Sequence, residues 1–346
     1  MSNDLRKVFR KTSEVRGRRP ENEVPAACGL AAHLLNLRFL WPPYLVRLYI
    51  RMSWHAEMLT EVAARSPGGY EAAGPLASEP TALATMALAA AGRFDTAVRC
   101  ADWLQELQNR DGSVGVMAGQ PAPQWPTSLA IIAWHQLDRA ADASAYSKPI
   151  ARAAKWALAS RGTTTERKQQ IGHDTALVGW SWAADTHSWL EPTAFFVLAL
   201  KAVGQGEHLR TREAMRLIVD RLLPDGGCNY GNTVVLGQPL LPHVQPTGIA
   251  MWALGGEEVQ DHRMELSLDY LEQQLSERTA TASLCYGLLG LSANGRRPID
   301  AESWLEGAYR REQQRGPSCY KLALIALAAT PRVARITNDE LITSGR

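Results

Sequence analysis

Six nearly unbroken apolar stretches recur along the chain, and each begins with a similar short sequence motif, here called the phrase. The phrase is Pro-Thr before apolar residues in four copies and a weaker variant in two, and the copies begin at Pro80, Pro126, Pro192, Pro246, Ala280 and Pro317. Proline is favoured at the first helical position, where its missing N–H would be unpaired anyway. Several stretches end at a glycine, the residue best suited to a left-handed cap: Gly92, Gly204, Gly255 and Gly295. The pattern predicts six buried helices in a repeat.

Amphipathic segments with more charge alternate with these apolar stretches. In the segment 97–107, apolar residues recur at helical spacing while Arg99, Asp102 and Glu106 fall elsewhere on the helical wheel. The segments predicted as such helices are 44–64, 95–108, 149–160, 210–223, 262–277 and 300–314. Six polar-faced helices outside six apolar ones predict an all-α fold, an (α/α)6 toroid.

The repeats also predict how the chain is divided. We expect a basic N-terminal extension with an apolar segment over residues 1–43, a toroid over 44–330 and a C-terminal tail over 331–346. Glycine-rich turns such as 111–113 and 225–227 connect outer to inner helices. The polar insertion 162–173 lengthens one repeat, and we expect a surface loop or lid there.

Charge and cysteine content indicate which binding partners and which cellular compartment to expect. A net charge of +2 gives no reason to expect nucleic-acid binding. Seven basic residues crowd the first twenty positions, which predicts either a solvated tail or peripheral contact with anionic lipid headgroups. The apolar segment 24–41 contains His33, Asn36 and Arg38, so we expect neither a membrane-spanning helix nor a cleaved signal. Five scattered cysteines indicate a reduced compartment, and we expect a cytoplasmic protein.

Two segments resemble a known superfamily. Residues 101–113 are similar to the glutamine-tryptophan repeat of squalene and oxidosqualene cyclases, with Val114 at the position of the usual closing tryptophan. The turn 225–227, leading to the helix start at Thr247, is similar to turns in those cyclases and in the β-subunits of protein prenyltransferases. Over roughly residues 44–330, the resemblance implies an α/α toroid with a central cavity for an isoprenoid.

The resemblance also implies candidate chemistry. Class II terpene cyclases place an Asp-x-Asp-Asp-Thr motif at an inner-helix start, and its middle aspartate protonates an alkene or epoxide. In the matching segment 189–194, Glu191 occupies the position of that proton donor, while Trp189 and Pro192 replace the other two aspartates. Such protonation needs no metal cofactor, whereas a diphosphate substrate would bring Mg²⁺. The zinc triad of the prenyltransferases is not visible in the sequence.

Acidic and imidazole side chains just before the inner helices are the candidate catalytic groups. For Glu79 the sequence favours a capping role, because carboxylates stabilise the first turn of a helix. Aromatic residues surround Glu191, and a desolvated carboxyl there would be a proton donor. Asp185 and His187 are its predicted neighbours, as a hydrogen-bonded pair that acts as base or orients Glu191. An ordinary loop pair, or a metal site that also includes His243, are alternatives.

Eleven tryptophans are many for 346 residues, and several lie on inner helices or their leading turns. We predict that a ring of side chains binds the substrate, namely Trp125, Trp180, Trp182, Trp189, Phe195, Phe196, Tyr230, His243 and Trp252. Aromatic π faces stabilise cations, although the same rings serve equally as core. The sequence therefore predicts a terpenoid cyclase-like enzyme. The alternatives are a non-catalytic isoprenoid- or peptide-binding toroid and a carbohydrate-active barrel that uses Glu191 and Asp185.

Overall fold

A double ring of helices makes up the fold in a computed structural model, which describes residues 43–167 and 171–334. Twelve α-helices lie within those residues. The six outer helices are α1 (Pro43–Ala64), α3 (Phe94–Glu106), α5 (Ser147–Ala159), α7 (Leu209–Asp220), α9 (Arg263–Gln274) and α11 (Ala301–Arg315). The six inner helices are α2 (Ser78–Ala90), α4 (Thr127–Ala140), α6 (Leu190–Ala202), α8 (Val244–Leu254), α10 (Thr281–Ala293) and α12 (Cys319–Ala328). The predicted all-α fold class is confirmed.

The inner helices form a closed ring. Each packs on the next along the chain, and α12 packs back on α2, while each outer helix covers its inner partner. The inner helices are buried almost all round, as their apolar sequences predict. The tightest pair is α8 and α10, where a Cβ on Gly248 would lie 2.5 Å from the Tyr286 carbonyl oxygen. Glycine at this position lets two backbones approach more closely than any larger residue would allow.

Two small elements complete the described chain. A hairpin pairs β1 (Val234–Val235) antiparallel to β2 (Gln238–Pro239), with Val234 opposite Pro239. A 3-10 helix, Pro331–Ala334, contacts both α10 and α12. No helix within the described ranges combines the length and apolar character needed to cross a bilayer. The predicted basic segment, the apolar segment 24–41 and most of the C-terminal tail lie outside those ranges.

In four of the six copies, the threonine of the repeated phrase ties the inner helix to the turn that precedes it. The Thr127 hydroxyl accepts a hydrogen bond from the Val114 N–H at 2.8 Å, and Thr193 accepts one from the Trp180 N–H at 3.0 Å. Thr81 and Thr247 bind their leading turns in the same way. In the weaker fifth copy, the Thr281 hydroxyl instead donates to the Glu312 carboxylate at 2.6 Å. The phrase therefore encodes a hydrogen-bonded joint, which is why it recurs.

Breaking one of these joints should cost measurable stability. Valine at Thr193 keeps the shape of the side chain but leaves the buried Trp180 N–H without its acceptor, so we expect a loss of about 1 to 2 kcal/mol in the free energy of unfolding. Urea denaturation followed by circular dichroism measures it. The matched control is Thr164→Val in the exposed insertion, which should change stability by less than about 0.5 kcal/mol. Equal effects of the two substitutions would contradict the role of the joint.

The ends of the inner helices agree with the predicted positions, with two local differences. Pro80, Pro192 and Pro246 are third rather than first in α2, α6 and α8, and they fit because no N–H of the first turn has an acceptor within the helix. These helices therefore begin two residues earlier than predicted. After α8, the positive φ of +77° falls on Gly256, whereas Gly255 has an ordinary φ of −56°. The predicted left-handed cap at this end is thus displaced by one residue.

Candidate functional site

Two buried carboxyl groups lie where inner helices begin. Glu79 and Glu191 are each the second residue of their helices, α2 and α6, and each immediately precedes the proline of the repeated phrase. Because every inner helix follows the same repeat, these first turns share one end of the ring. Glu79 is only 9% exposed and Glu191 only 6% exposed. Buried carboxyls are rare without a partner, so their surroundings decide what they can do.

Glu79 is held between two tyrosines from different parts of the ring. The Tyr70 hydroxyl donates to Oε2 at 2.5 Å, and the Tyr286 hydroxyl of α10 donates to Oε1 at 3.3 Å. Burial raises the pKa of Glu79 from 4.5 to about 7, although both tyrosine hydrogen bonds act in the opposite direction. Desolvation therefore dominates, and this carboxyl exchanges its proton near neutral pH.

Glu191 has a sparser environment. The Gln245 side-chain amide, from the first turn of α8, donates to Oε1 at 3.2 Å. Burial raises the pKa of Glu191 from 4.5 to about 7, against the effect of the Gln245 hydrogen bond and with a smaller contribution from the negative charge of Glu79. Among the described residues, neither a lysine nor an arginine contributes to the pKa of either glutamate. The two carboxyls thus repel each other when ionised, which favours a state in which a proton is retained.

A continuous series of aromatic rings lies beside the carboxyls. Trp125 meets Trp182 edge to face at 4.8 Å between ring centroids and stacks on Phe195 at 6.4 Å. Phe195 in turn lies 6.0 Å from Tyr286, the residue that binds Glu79. We call Trp125, Trp182, Phe195 and Tyr286 the aromatic series. Its rings are partly accessible at Trp125 and Trp182 and buried at Phe195 and Tyr286, so it leads from the surface to the Glu79 carboxyl that Tyr286 binds.

Three of the predicted substrate-binding rings lie elsewhere. Trp180 stacks on Phe196 at 5.0 Å, and its indole N–H donates to the Ala157 carbonyl of α5, so both rings fill the space between inner and outer helices. The Arg210 guanidinium covers the Trp180 ring at 4.6 Å. Trp252 lies in the last turn of α8, and its N–H donates to the Ala334 carbonyl, at the opposite end of the ring. Trp180, Phe196 and Trp252 are core.

The remaining predicted residues lie at the glutamate end but mostly on its surface. His187 and Trp189 are in ring contact at 4.4 Å, and Tyr230 and His243 are in contact at 5.3 Å. Tyr230 is linked to the site, because burial together with the charge of Glu191 raises its pKa.

The predicted pairing of Asp185 with His187 is not found. Both side chains are exposed, and no hydrogen bond joins them in the described part of the chain. Asp185 has a φ of +60°, so the chain turns sharply at this residue. No group of three His, Cys, Asp or Glu side chains within residues 43–167 and 171–334 is arranged to hold a metal ion. The structure thus brings Glu191 together with Glu79 rather than with Asp185 and His187.

The predicted catalytic and binding residues leave out four residues of this site, namely Tyr70, Glu79, Gln245 and Tyr286, although the sequence places Glu79 among the acidic groups before the inner helices and Tyr286 among the aromatic rings of a cavity. The signal that could have found two of them is the residue before each repeated proline, which is Glu79, Glu191 or Gln245 in three of the copies. Equivalent positions of a ring repeat point to the same end of the ring. Tyr70 lies in a loop outside the repeat, and nothing in its local sequence indicates its contact with Glu79.

No protein-family model matches the chain, and no curated protein sequence matches it significantly. A solved structure of the type II terpene cyclase MstE from Scytonema, bound to geranylgeranyl dihydroxybenzoate, is similar with a TM-score of 0.49 and 13% identity, over 84% of this chain and 99% of the cyclase. A Salmonella α2-macroglobulin variant is similar with a TM-score of 0.49 and 16% identity. That match covers 80% of this chain, which spans only 17% of the α2-macroglobulin.

Proposed function

We propose that this chain is a terpenoid cyclase-like enzyme in which Glu191 donates a proton to an isoprenoid bound along the aromatic series. The observation that supports it best is the buried Glu191 carboxyl, whose pKa of about 7 leaves a large protonated fraction at neutral pH. A general acid is most effective when its pKa lies near the working pH. The apolar rings beside it suit a hydrocarbon chain better than a polar substrate.

The acidity of Glu191 narrows the substrate class. A carboxyl with a pKa near 7 is a weak acid, so it transfers a proton more readily to an oxygen lone pair than to an unactivated alkene. We therefore favour an isoprenoid epoxide. In this step the Glu191 proton moves to the epoxide oxygen, a C–O bond breaks, and an alkene of the same molecule attacks the resulting carbon centre. The final cation then loses a proton to water and the Glu191 carboxylate regains a proton from solvent, so the site returns to its starting charge.

Neighbouring residues have supporting roles in this proposal. The Gln245 amide fixes the orientation of the Glu191 carboxyl through one oxygen and leaves the other available to the substrate. Glu79 is a positioning residue, because its own oxygens are engaged by Tyr70 and Tyr286 and its charge raises the pKa of Glu191. The faces of Phe195 and Trp125 would stabilise positive charge on the cyclising chain by about 0.5 to 2 kcal/mol each.

A product assay tests the proposal. The purified protein is incubated with squalene, an epoxide of squalene, farnesyl diphosphate and geranylgeranyl diphosphate, with and without Mg²⁺, and extracts are analysed by gas chromatography and mass spectrometry. We expect a new cyclic isomer from the epoxide without Mg²⁺, and none from heat-denatured protein. An isoprenoid that native mass spectrometry shows bound but that is recovered unchanged would indicate the binding toroid instead. A product formed only from a diphosphate and only with Mg²⁺ would contradict acid initiation.

A further inference from the structure

An open cleft of about 760 Å³ lies between α5 and the C-terminal ends of α4 and α6. The inner helices begin at the end of the ring that holds Glu79 and Glu191, so the C-terminal ends of α4 and α6 lie at the other end. A concavity of this volume is in the range of small-molecule sites. One wall of the cleft is apolar and consists of Ile150, Ala154, Leu158 and Val203.

The accessible polar side chains of the cleft include several hydrogen-bond donors. Arg139, near the end of α4, and Lys155, on α5, both line the cleft and have exposed side chains. The hydroxyl groups of Ser144 and Ser147 line it where the chain enters α5. A guanidinium, an ammonium group and two hydroxyls together suit an anionic head group, and the planar guanidinium matches a carboxylate in geometry.

Among the described residues that line the cleft, Asp138 is the only acidic one, and it is withdrawn into the protein. The side chain is only 7% exposed, its Oδ2 accepts the backbone N–H of Tyr146 at 3.0 Å, and its Oδ1 is buried. His135 also lines the cleft, and burial lowers the pKa of its imidazole, which is therefore neutral at pH 7.5. The exposed charge that a ligand meets in the cleft is thus positive.

The sequence around α5 adds to this positive character. Residues 143–165, which span the entry to α5, the helix itself and the start of the insertion, contain four basic side chains and no acidic one. The whole chain has a net charge of only +2, so the excess is local. A local excess of one sign attracts ligands of the opposite sign and favours them over neutral or like-charged ones.

We propose that this cleft binds a small carboxylate with a hydrocarbon tail. The Arg139 guanidinium and the Lys155 ammonium group would donate to the carboxylate, and the tail would lie along the wall that contains Ile150 and Leu158. The two parts of the ligand thus match the two parts of the cleft. The proposal does not depend on the chemistry of Glu191.

Calorimetry with three eight-carbon probes tests the sign of the head group. At pH 7.5 we expect n-octanoate to bind with a Kd below about 1 mM, and 1-octanol and n-octylamine to bind at least about tenfold more weakly. Butyrate should also bind at least about tenfold more weakly than octanoate, because it has four fewer CH₂ groups to bury on the apolar wall. Octylamine or octanol binding as tightly as octanoate, or no binding of octanoate, would overturn the proposal.

Two charge reversals on the same helix test the place of binding. Lys155→Glu puts an acid into the cleft and should lower octanoate affinity about tenfold or more. The matched control is Lys148→Glu, an equally exposed lysine of α5 that does not line the cleft, and it should change the affinity less than about twofold. If Lys155→Glu fails to fold, Arg139→Gln serves as the second test and should also weaken binding. Equal losses in the Lys155 and Lys148 variants would rule out the cleft as the site.

Vesicles distinguish a carboxylate bound in the cleft from a basic surface that contacts lipid headgroups. The protein is sedimented with phosphatidylglycerol vesicles, with and without octanoate. We expect octanoate binding in calorimetry to persist in the absence of any vesicle. Sedimentation with vesicles that both charge reversals weaken equally, together with no octanoate binding in their absence, would assign the basic side chains of α5 to a membrane surface and overturn the proposal.

Discussion

Replacing Glu191 with glutamine should lower kcat for the isoprenoid that the wild type converts by about two to four orders of magnitude. Glutamine fills the same volume and still accepts the Gln245 amide through its oxygen, but its NH₂ group cannot transfer a proton as an acid does. The loss should appear in kcat rather than KM, because the proton is donated in the transition state while the aromatic series still binds the ground state. Initial rates from quantified product peaks measure both constants.

Two exposed residues near the same end of the ring provide the controls for this substitution. The sequence predicts Asp185 and His187 to be catalytic, but both side chains are exposed, so Asp185→Asn and His187→Gln should stay within about threefold of wild type. If either of these substitutions abolishes turnover while Glu191→Gln leaves it intact, the assignment of the acid is wrong. Loss of turnover in all three variants with wild-type folding would point instead to a site that extends to the surface loop.

Glu191→Gln should also stabilise the protein, and only at high pH. The pKa of Glu191 is about 7 when folded and near its ordinary 4.5 when unfolded, so the folded state binds its proton more tightly. Below pH 4.5 the group is neutral in both states and has no effect. As the pH rises from 4.5 to 7, the unfolded chain ionises first and the wild type loses about 3 kcal/mol of stability. Glutamine does not ionise, so the stability of the variant does not fall over this pH range.

Urea unfolding of wild type and variant at pH 5 and pH 8 gives the required difference. We expect the two proteins to differ little at pH 5 and Glu191→Gln to be more stable by roughly 3 kcal/mol at pH 8. Glu79→Gln should also be more stable than wild type at pH 8. The stability gained by the double variant should be smaller than the sum of the two single gains, because the charge of Glu79 raises the pKa of Glu191. A stability difference that is the same at both pH values would show that Glu191 titrates normally.

The ring itself is predictable from the sequence because its signals are local and repeated. The spacing of apolar positions alone predicts each outer helix to within about three residues of its observed ends. The starts of the inner helices are also predictable, since proline and threonine mark them in four copies. The position of the cap at Gly256 cannot be predicted, because Gly255 and Gly256 are adjacent and the sequence does not indicate which of them takes the positive φ.

The site is harder to predict because it depends on which side of an inner helix faces the centre. An inner helix is apolar all round, so its sequence does not separate Phe195, which joins the aromatic series, from Phe196, which packs outward on Trp180. For the same reason the sequence of α2 favours a capping role for Glu79, and only the contact with Tyr286 shows that its carboxyl is sequestered. Side-chain direction within a buried helix is a tertiary property.

The hydrogen bond from Tyr286 to Glu79 joins residues 207 positions apart, and it can form only when the last inner helices dock against the first. Until then Glu79 is in water with an ordinary pKa, and at pH 6 it is ionised. Docking therefore moves a carboxylate out of water and draws a proton from solution in the same event. Closing the ring is thus a proton-uptake reaction, so its equilibrium is less favourable at neutral pH than in mild acid.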